Sequence, residues 1–435
     1  MQVTRQRPFP YSYRPEKTPA YTLFRAEGRS LSESLPHAVS YLRKYAFKKT
    51  TAPAESVEHF RRQHRLFSFL ASPGAALDGA VKASVAMVGD LMWVRDSWKT
   101  FVQDDVRRHL DRHDVVLGNL ETPISAAHRV PRFLPDVARF NAPPELLTSF
   151  RRADGTNLFT ALSTANNHSL DQGVDGARAT LDFLQSEGIL QSGMGEPTDR
   201  PYVTFERSGI RFGFYAATFG LNDPSQERPE GWRVNLQKGL APVAQEMPPL
   251  DDLQAALEGM EKDGVDFKIV SLHWGHEFES YPTPEQMQVA RHIVALGADL
   301  LLGGHSHVPQ PAEVLFVNGA ERSLAPEAAA LARNATLSDP TGVPRKALVV
   351  YSLGNFSTTM YTAACRLGGL QSLEVVKDPG TGRVDWHAPM LDFVFNDRGG
   401  WFGQRRLAMA ANLPEGLEEA RRVAALLPGA QVPTA

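Results

Sequence analysis

The 435-residue chain has a single cysteine, Cys365. An intramolecular disulfide is therefore impossible, and so is a zinc site built on paired thiolates. The sequence also lacks an apolar run of about 18 residues, the minimum for a membrane-spanning helix. Residues 1–17 (MQVTRQRPFPYSYRPEK) have no apolar centre and do not read as a secretory signal. These absences lead to the expectation of a cytoplasmic protein with no integral membrane segment. Neither charge dominates: 46 Lys and Arg face 49 Asp and Glu, a net −3. The whole chain therefore has no bulk attraction for nucleic acid. Gly-x-Ser-x-Gly, the P-loop and a dinucleotide-binding glycine run after a strand are all missing, and each would have marked a different chemistry.

What is present is an ordinary globular composition, 42% hydrophobic and 22% charged. As a prior, this length suggests two or three domains. The charge is unevenly placed. Residues 1–70 carry 13 Lys and Arg against 5 Asp and Glu, or +8, which leaves −11 for the rest. Helical patterns are expected at 34–47 and 54–70, the second with an apolar stripe of Phe60, Leu66, Phe67 and Leu70. We expect residues 1–80 to form a basic helical extension on the acidic main domain. The alternative is peripheral contact with an anionic surface through residues 1–70. From Ala83 onward, strand-like runs alternate with helical stretches at 96–110, 144–153, 173–187, 250–262 and 284–296, and 209–217 adds a strand. This alternation predicts an α/β core over 81–400. Residues 220–248 read as a long loop, 319–346 as an insertion, and 401–435 as a tail with a peripheral helix.

The residues able to bind metal follow these apolar runs directly. Val85–Val88 leads into Gly89-Asp90, Val115–Leu117 into Gly118-Asn119-Leu120-Glu121, and the run ending at Ser163 into Asn166-Asn167-His168. The run ending at Leu272 leads into His273, and that ending at Leu302 into Gly303-Gly304-His305-Ser306-His307. Such runs read as buried parallel strands, whose carboxyl ends form the ligand crevice of open α/β sheets. The expectation is convergence at one edge of one sheet. Hard carboxylate and amide oxygens mixed with imidazoles suit a divalent-metal hydrolase. In Gly-His-x-His both imidazoles can face one centre, although two histidines in a glycine turn could also be surface groups. Asp90 can ligate or cap, and Glu121 can bridge two ions. Asn167 offers an amide oxygen, and His168 can protonate a leaving oxygen. Asp171 reads as an N-cap for the helix at 173–187. Glu277 reads as a group orienting His273, and Asn355 as a hydrogen-bonding neighbour of the site.

These segments, in this order, resemble the CapA family of capsule and poly-γ-glutamate biosynthesis proteins. They are Val88-Gly89-Asp90-Leu91-Met92, Gly118-Asn119-Leu120-Glu121-Thr122-Pro123, Phe140-Asn141-Ala142-Pro143, Ala165-Asn166-Asn167-His168, His273-Trp274-Gly275-x-Glu277-Phe278, Gly304-His305-Ser306-His307 and Tyr351-Ser352-Leu353-Gly354-Asn355-Phe356. The resemblance covers roughly residues 83–395 and implies a branch of the calcineurin-like metallophosphoesterases. The implied fold is a four-layer α/β/β/α sandwich, here with an added N-terminal helical segment. The implied cofactor is a pair of divalent ions (Mn, Fe or Zn). Asp90 and His307 would hold the first, Asn167, His273 and His305 the second, and Glu121 would bridge them, with His168 as the catalytic acid. One departure stands out: Met92 occupies the position of a further histidine in the broader superfamily, and a thioether is a poor ligand for hard cations.

Two function classes follow. One is a metal-dependent hydrolase acting on a phosphoester or related anionic small molecule or polymer, with γ-glutamyl amide hydrolysis possible at the same site. The other is a non-catalytic, metal-bound component of capsule polymer biosynthesis. An acid kept beside the metals favours the enzyme.

Overall fold

The computed structural model describes residues 42–70, 80–92, 101–128, 139–227, 229–240, 249–318, 323–324, 345–399 and 404–427. The apolar runs become two large sheets. One holds β1 (Val81–Leu91), β2 (Val115–Leu120), β3 (Ala161–Ser163), β4 (Leu190–Ser192), β14 (Asn355–Ser357), β15 (Leu367–Lys377), β16 (Val384–Asp397) and β17 (Arg406–Met409). The other holds β6 (Tyr202–Arg207), β7 (Ile210–Thr218), β9 (Phe267–His273), β10 (Leu300–Gly304), β11 (Pro309–Asn318), β12 (Ser323–Leu324) and β13 (Arg345–Leu353). A short ladder joins β5 (Met194–Gly195) to β8 (Arg233–Val234).

The strand orders are β17-β16-β15-β1-β2-β3-β4, with β14 also on β1, and β12-β11-β13-β10-β9-β7-β6. Strands β1 to β4 run parallel, as do β7, β9, β10 and β13. Parallel neighbours need crossovers, and helices supply them. Side chains alternate between the faces of each strand. Val85 and Met87 of β1 meet Phe212, Phe214 and Ile269 between the sheets. Ala86 and Val88 face outward, against Val106, Leu110, Leu146 and Leu184 of the helices Asp104–Leu110, Glu145–Thr148 and Gly173–Ser186. On the far side, Leu253, Leu257, Ile293 and Val294 of Asp251–Lys262 and Pro284–Leu296 cover Val270, Leu301 and Val349. The layers are therefore α/β/β/α. Each fully buried large apolar side chain contributes about 1.5–3 kcal/mol.

Several sequence expectations change. The metal-type residues belong to two sheets, not one, because apolar runs buried on both faces do not encode which sheet they join. The expected helix at 96–110 is helical over Asp104–Leu110, and 93–100 lie outside the described residues. The stretch 144–153 shortens to Glu145–Thr148. Helix Pro284–Leu296 is well specified, with a Thr283–Gln286 capping box and Pro284 in its first turn. The final helix, Pro414–Ala424, is not peripheral: Ala420, Val423 and Ala424 belong to the main core. In the helix Ala54–Leu70, Leu66, Phe67 and Leu70 enter that same core, while Phe60 packs edge-on against Tyr351 at 6.0 Å. Of the expected helix at 34–47, residues 34–41 lie outside the described residues, and most of the expected insertion at 319–346 does too. Among the described residues, no helix is long and apolar enough to cross a membrane.

Candidate metal centre

Strand register brings the motifs together. Asp90 of β1 pairs with Asn119 of β2, Asn119 with Ser163 of β3, and His273 of β9 with Gly304 of β10. Each motif therefore begins where its strand leaves the sheet. The two sheet edges are tied across this line. The Asp90 N–H donates to the Gly354 carbonyl at 2.9 Å, and the His305 N–H donates to Asp90 Oδ2 at 3.0 Å. Two glycines allow this approach. A Cβ at Gly89 would lie 1.9 Å from the Gly354 oxygen, and one at Gly304 would lie 2.5 Å from Asp90 Oδ1. His305 and His307 adopt φ of +88° and +57°, a left-handed backbone that non-glycine residues avoid unless tertiary structure imposes it.

The sequence-predicted ligands converge. Donor atoms of Glu121, His273 and His305 lie within 4.8 Å of one another, and so do those of Asp90, Glu121 and His307. Glu121 is common to both sets. Asn167 joins through its Oδ1, 2.8 Å from His273 Nε2, which is itself 3.3 Å from Glu121 Oε1. His307 Nδ1 faces Asn355 Oδ1 at 2.9 Å, and Asn355 Nδ2 donates to the Cys365 carbonyl at 2.9 Å. That chain places the proton on His307 Nδ1 and leaves the Nε2 lone pair available.

The electrostatics fit a cation. Glu121 is 0% exposed, yet neither carboxylate oxygen has a hydrogen-bond partner; both ring nitrogens of buried His305 are likewise without one. Burial pushes the Glu121 carboxyl up to about 7. Burial, then the Glu121 charge, pushes Asp90 up to about 7. Burial holds His273 down at about 4 and His307 at about 3, and His305 falls well below the usual imidazole range. The imidazoles are therefore neutral at pH 7, the form that ligates. Buried carboxylates without a cation cost several kcal/mol each. A set of oxygen and imidazole donors suits Mn, Fe or Zn.

His168 stands beside this cluster. Its Nδ1 donates to Asp171 Oδ2 at 2.6 Å, and its ring stacks on Phe140 at 3.7 Å and 9°. The Asn222 amide lies 3.2 Å from Nδ1 and 3.3 Å from Nε2. Burial works to lower the pKa of His168, but the Asp171 carboxylate, with Glu121 and Glu277 behind it, raises it above the usual imidazole value. Asp171 is not the expected cap. The N-cap position of helix Gly173–Ser186 is Gln172, and Asp171 accepts instead from His168 and from the Phe140 N–H at 2.6 Å.

Sequence reasoning passed over several residues here. The Asn119 Nδ2 donates to Asp90 Oδ1 at 2.8 Å and lies 3.2 Å from His273 Nδ1. Asn166 donates to Asn119 Oδ1 at 3.2 Å and to the Leu120 carbonyl at 2.8 Å. Both lie inside the motifs and were open to notice. Asn222 carries no motif signal.

Residues 84–360 match the family model described as bacterial capsule synthesis protein PGA_cap. The chain belongs to this family. The capsule biosynthesis protein CapA of Bacillus anthracis is 28% identical over 250 residues, 54% of this chain and 56% of that protein. The PGA biosynthesis protein CapA of Bacillus subtilis (strain 168) is 26% identical over 311 residues, 69% of this chain and 70% of that protein. The chain thus spans little more than half the length of the first relative. A solved phosphatase from Mycoplasma pneumoniae overlaps 72% of this chain and 94% of its own, with a TM-score of 0.36 at 11% identity. That overlap is distant.

Proposed function

We propose that this PGA_cap family member is a metal-dependent hydrolase of a phosphoester or related anionic group, with His168 as its general acid. The observation that carries the reading is an enclosed imidazole tied at Nδ1 to Asp171 and set beside a cluster of orphaned carboxylate and imidazole donors. Asp90, Glu121, Asn167, His273, His305 and His307 would hold two divalent ions. Bound there, the ions would polarise the scissile group and lower the pKa of an attacking water. Asp171 fixes the tautomer of His168, so the transferable proton sits at Nε2. Phe140 fixes the plane of the ring. The raised pKa keeps that proton in place at neutral pH until a leaving oxygen takes it.

The names of the relatives support an anionic polymer or its fragments as the physiological substrate. A non-catalytic polymer-handling role would leave the His168–Asp171 pair without a use.

The test removes the acid and spares the ligands. His168→Ala should retain its metal and lose roughly 10²–10⁴-fold in rate on poor leaving groups. The loss should shrink for nitrophenyl esters, whose leaving groups need no proton. Full activity of a folded, metal-loaded His168→Ala on a poor leaving group would refute the acid assignment. Metal-loaded wild-type protein inactive on both phosphoesters and γ-glutamyl peptides would favour the non-catalytic role.

A further inference from the structure

The set Asp90, Glu121 and His307 has three protein donors, and Met92 stands two residues after Asp90, just past the end of β1. Met92 is buried, and its sulfur accepts from the Thr358 hydroxyl at 3.6 Å. It offers no hard donor. A carboxylate approaches from the other sheet instead. Glu277 Oε1 lies 4.0 Å from His307 Nε2, and donor atoms of Glu277, His305 and His307 lie within 4.8 Å of one another. Two donors on one ion, each at about 2.1 Å, are at most about 4.2 Å apart. The 4.0 Å separation falls within that span.

The approach is built into the backbone. The Phe278 N–H donates to the Ser306 carbonyl at 2.8 Å, which locks the segment after β9 onto the turn that carries His305 and His307. Phe278 takes φ of +62°, a third left-handed residue at this centre. Its ring packs 5.8 Å from that of His307, and the Lys49 N–H holds its carbonyl at 3.0 Å. His305 is 2% exposed, one of its ring nitrogens belongs to this same group of donors, and neither ring nitrogen has a hydrogen-bond partner.

We propose that Glu277 is a metal ligand, supplying to the Asp90–Glu121–His307 site the donor that Met92 cannot. This inference rests on the metal-centre reading. The competing account makes Glu277 a counter-charge for Lys48, with which it interacts electrostatically.

The two accounts separate in a Mn²⁺ titration of chelator-stripped full-length protein, with free Mn²⁺ read by electron paramagnetic resonance. Wild type should bind two ions. Glu277→Gln should keep the tighter ion and weaken the other at least about tenfold, the scale seen for disturbed metal shells. Glu277→Asp keeps the charge beside Lys48 and withdraws the oxygens by one methylene. A ligand role requires weakening there too, whereas a counter-charge role requires none. Thermal unfolding of the stripped variants at the wild-type temperature shows that the loss is not a folding defect. Two ions bound with wild-type affinities in both variants would overturn the inference. If wild type binds no Mn²⁺, the metal-centre reading falls and this inference falls with it. If His305→Ala loses metal while neither Glu277 variant does, only this inference falls.

Discussion

Glu121 and Glu313 are both 0% exposed, yet their surroundings push them in opposite directions. Glu313 is surrounded by donors: His59 Nε2 at 2.6 Å, Arg291 at 3.1 Å and the Tyr351 hydroxyl at 2.5 Å. Burial works to raise its pKa, but Arg291 and His59 overcome that and hold the carboxyl down at about 2. Glu121 has no hydrogen-bond donor on either oxygen, and burial lifts it to about 7. Enclosure is common to both, so the difference lies in the partner. The fold supplies a cation to Glu313 from its own side chains. Around Glu121 it supplies the imidazoles of His273, His305 and His307, which burial keeps neutral, and the only charge that opposes burial is that of His168, so we propose that the remaining charge comes from a bound ion.

The largest effect that could break this contrast is at His305. His305→Ala should lose at least one ion per chain by elemental analysis, and hydrolysis should fall to background. A variant that keeps full metal content would remove His305 from the ligand set.

A smaller effect is expected at the satisfied carboxylate. Glu313→Gln should cost about 3 kcal/mol, the scale for breaking a buried pair. The pH dependence has a definite sign. The Glu313 pKa is depressed in the folded state, so its stabilisation is complete above the unfolded value of about 4.3. It is lost as pH falls through about 2. The melting-temperature gap between wild type and variant should be constant above about pH 5 and close below it. A gap that widened in acid would contradict the assignment.

The smallest effect sharpens the contrast most. In stripped protein at pH 8, Glu121→Gln should be stabilising by about 1–3 kcal/mol, because it removes a buried charge whose oxygens have no hydrogen-bond partner. Opposite signs at Glu121 and Glu313, measured by thermal melts, are the expected result. Destabilisation at both would mean that Glu121 has a partner within the protein.

Much of this centre was legible because the ligand types follow apolar runs. Asp90, Glu121, His273, His305 and His307 each stand at or just beyond a strand end, and strand ends can be read from periodicity. The division of those strands between two sheets was not legible. Val85–Val88 and Leu300–Leu302 are alike in composition, and only packing assigns the first to one sheet and the second to the other. Asn222 was hidden for a related reason. It lies in a polar loop and reaches the site because its N–H donates to the Asn167 carbonyl at 2.9 Å, a contact between residues 55 apart. Asp171 was misread because the spacing that suits an N-cap also suits a carboxylate three residues after His168. Glu277 stands four residues after His273, a spacing that gave no hint that its oxygen would face His307.

Thermal unfolding of chelator-stripped protein, with and without added Mn²⁺, tests most directly whether Glu121 requires an ion from outside the chain. An ion that binds only the folded state stabilises it by about 2.7 kcal/mol at one hundred times its dissociation constant. The expected result is a clear rise in melting temperature for wild type, little or none for Glu121→Gln, and an undiminished rise for Glu313→Gln. No rise in wild type, or an equal rise in Glu121→Gln, would contradict it.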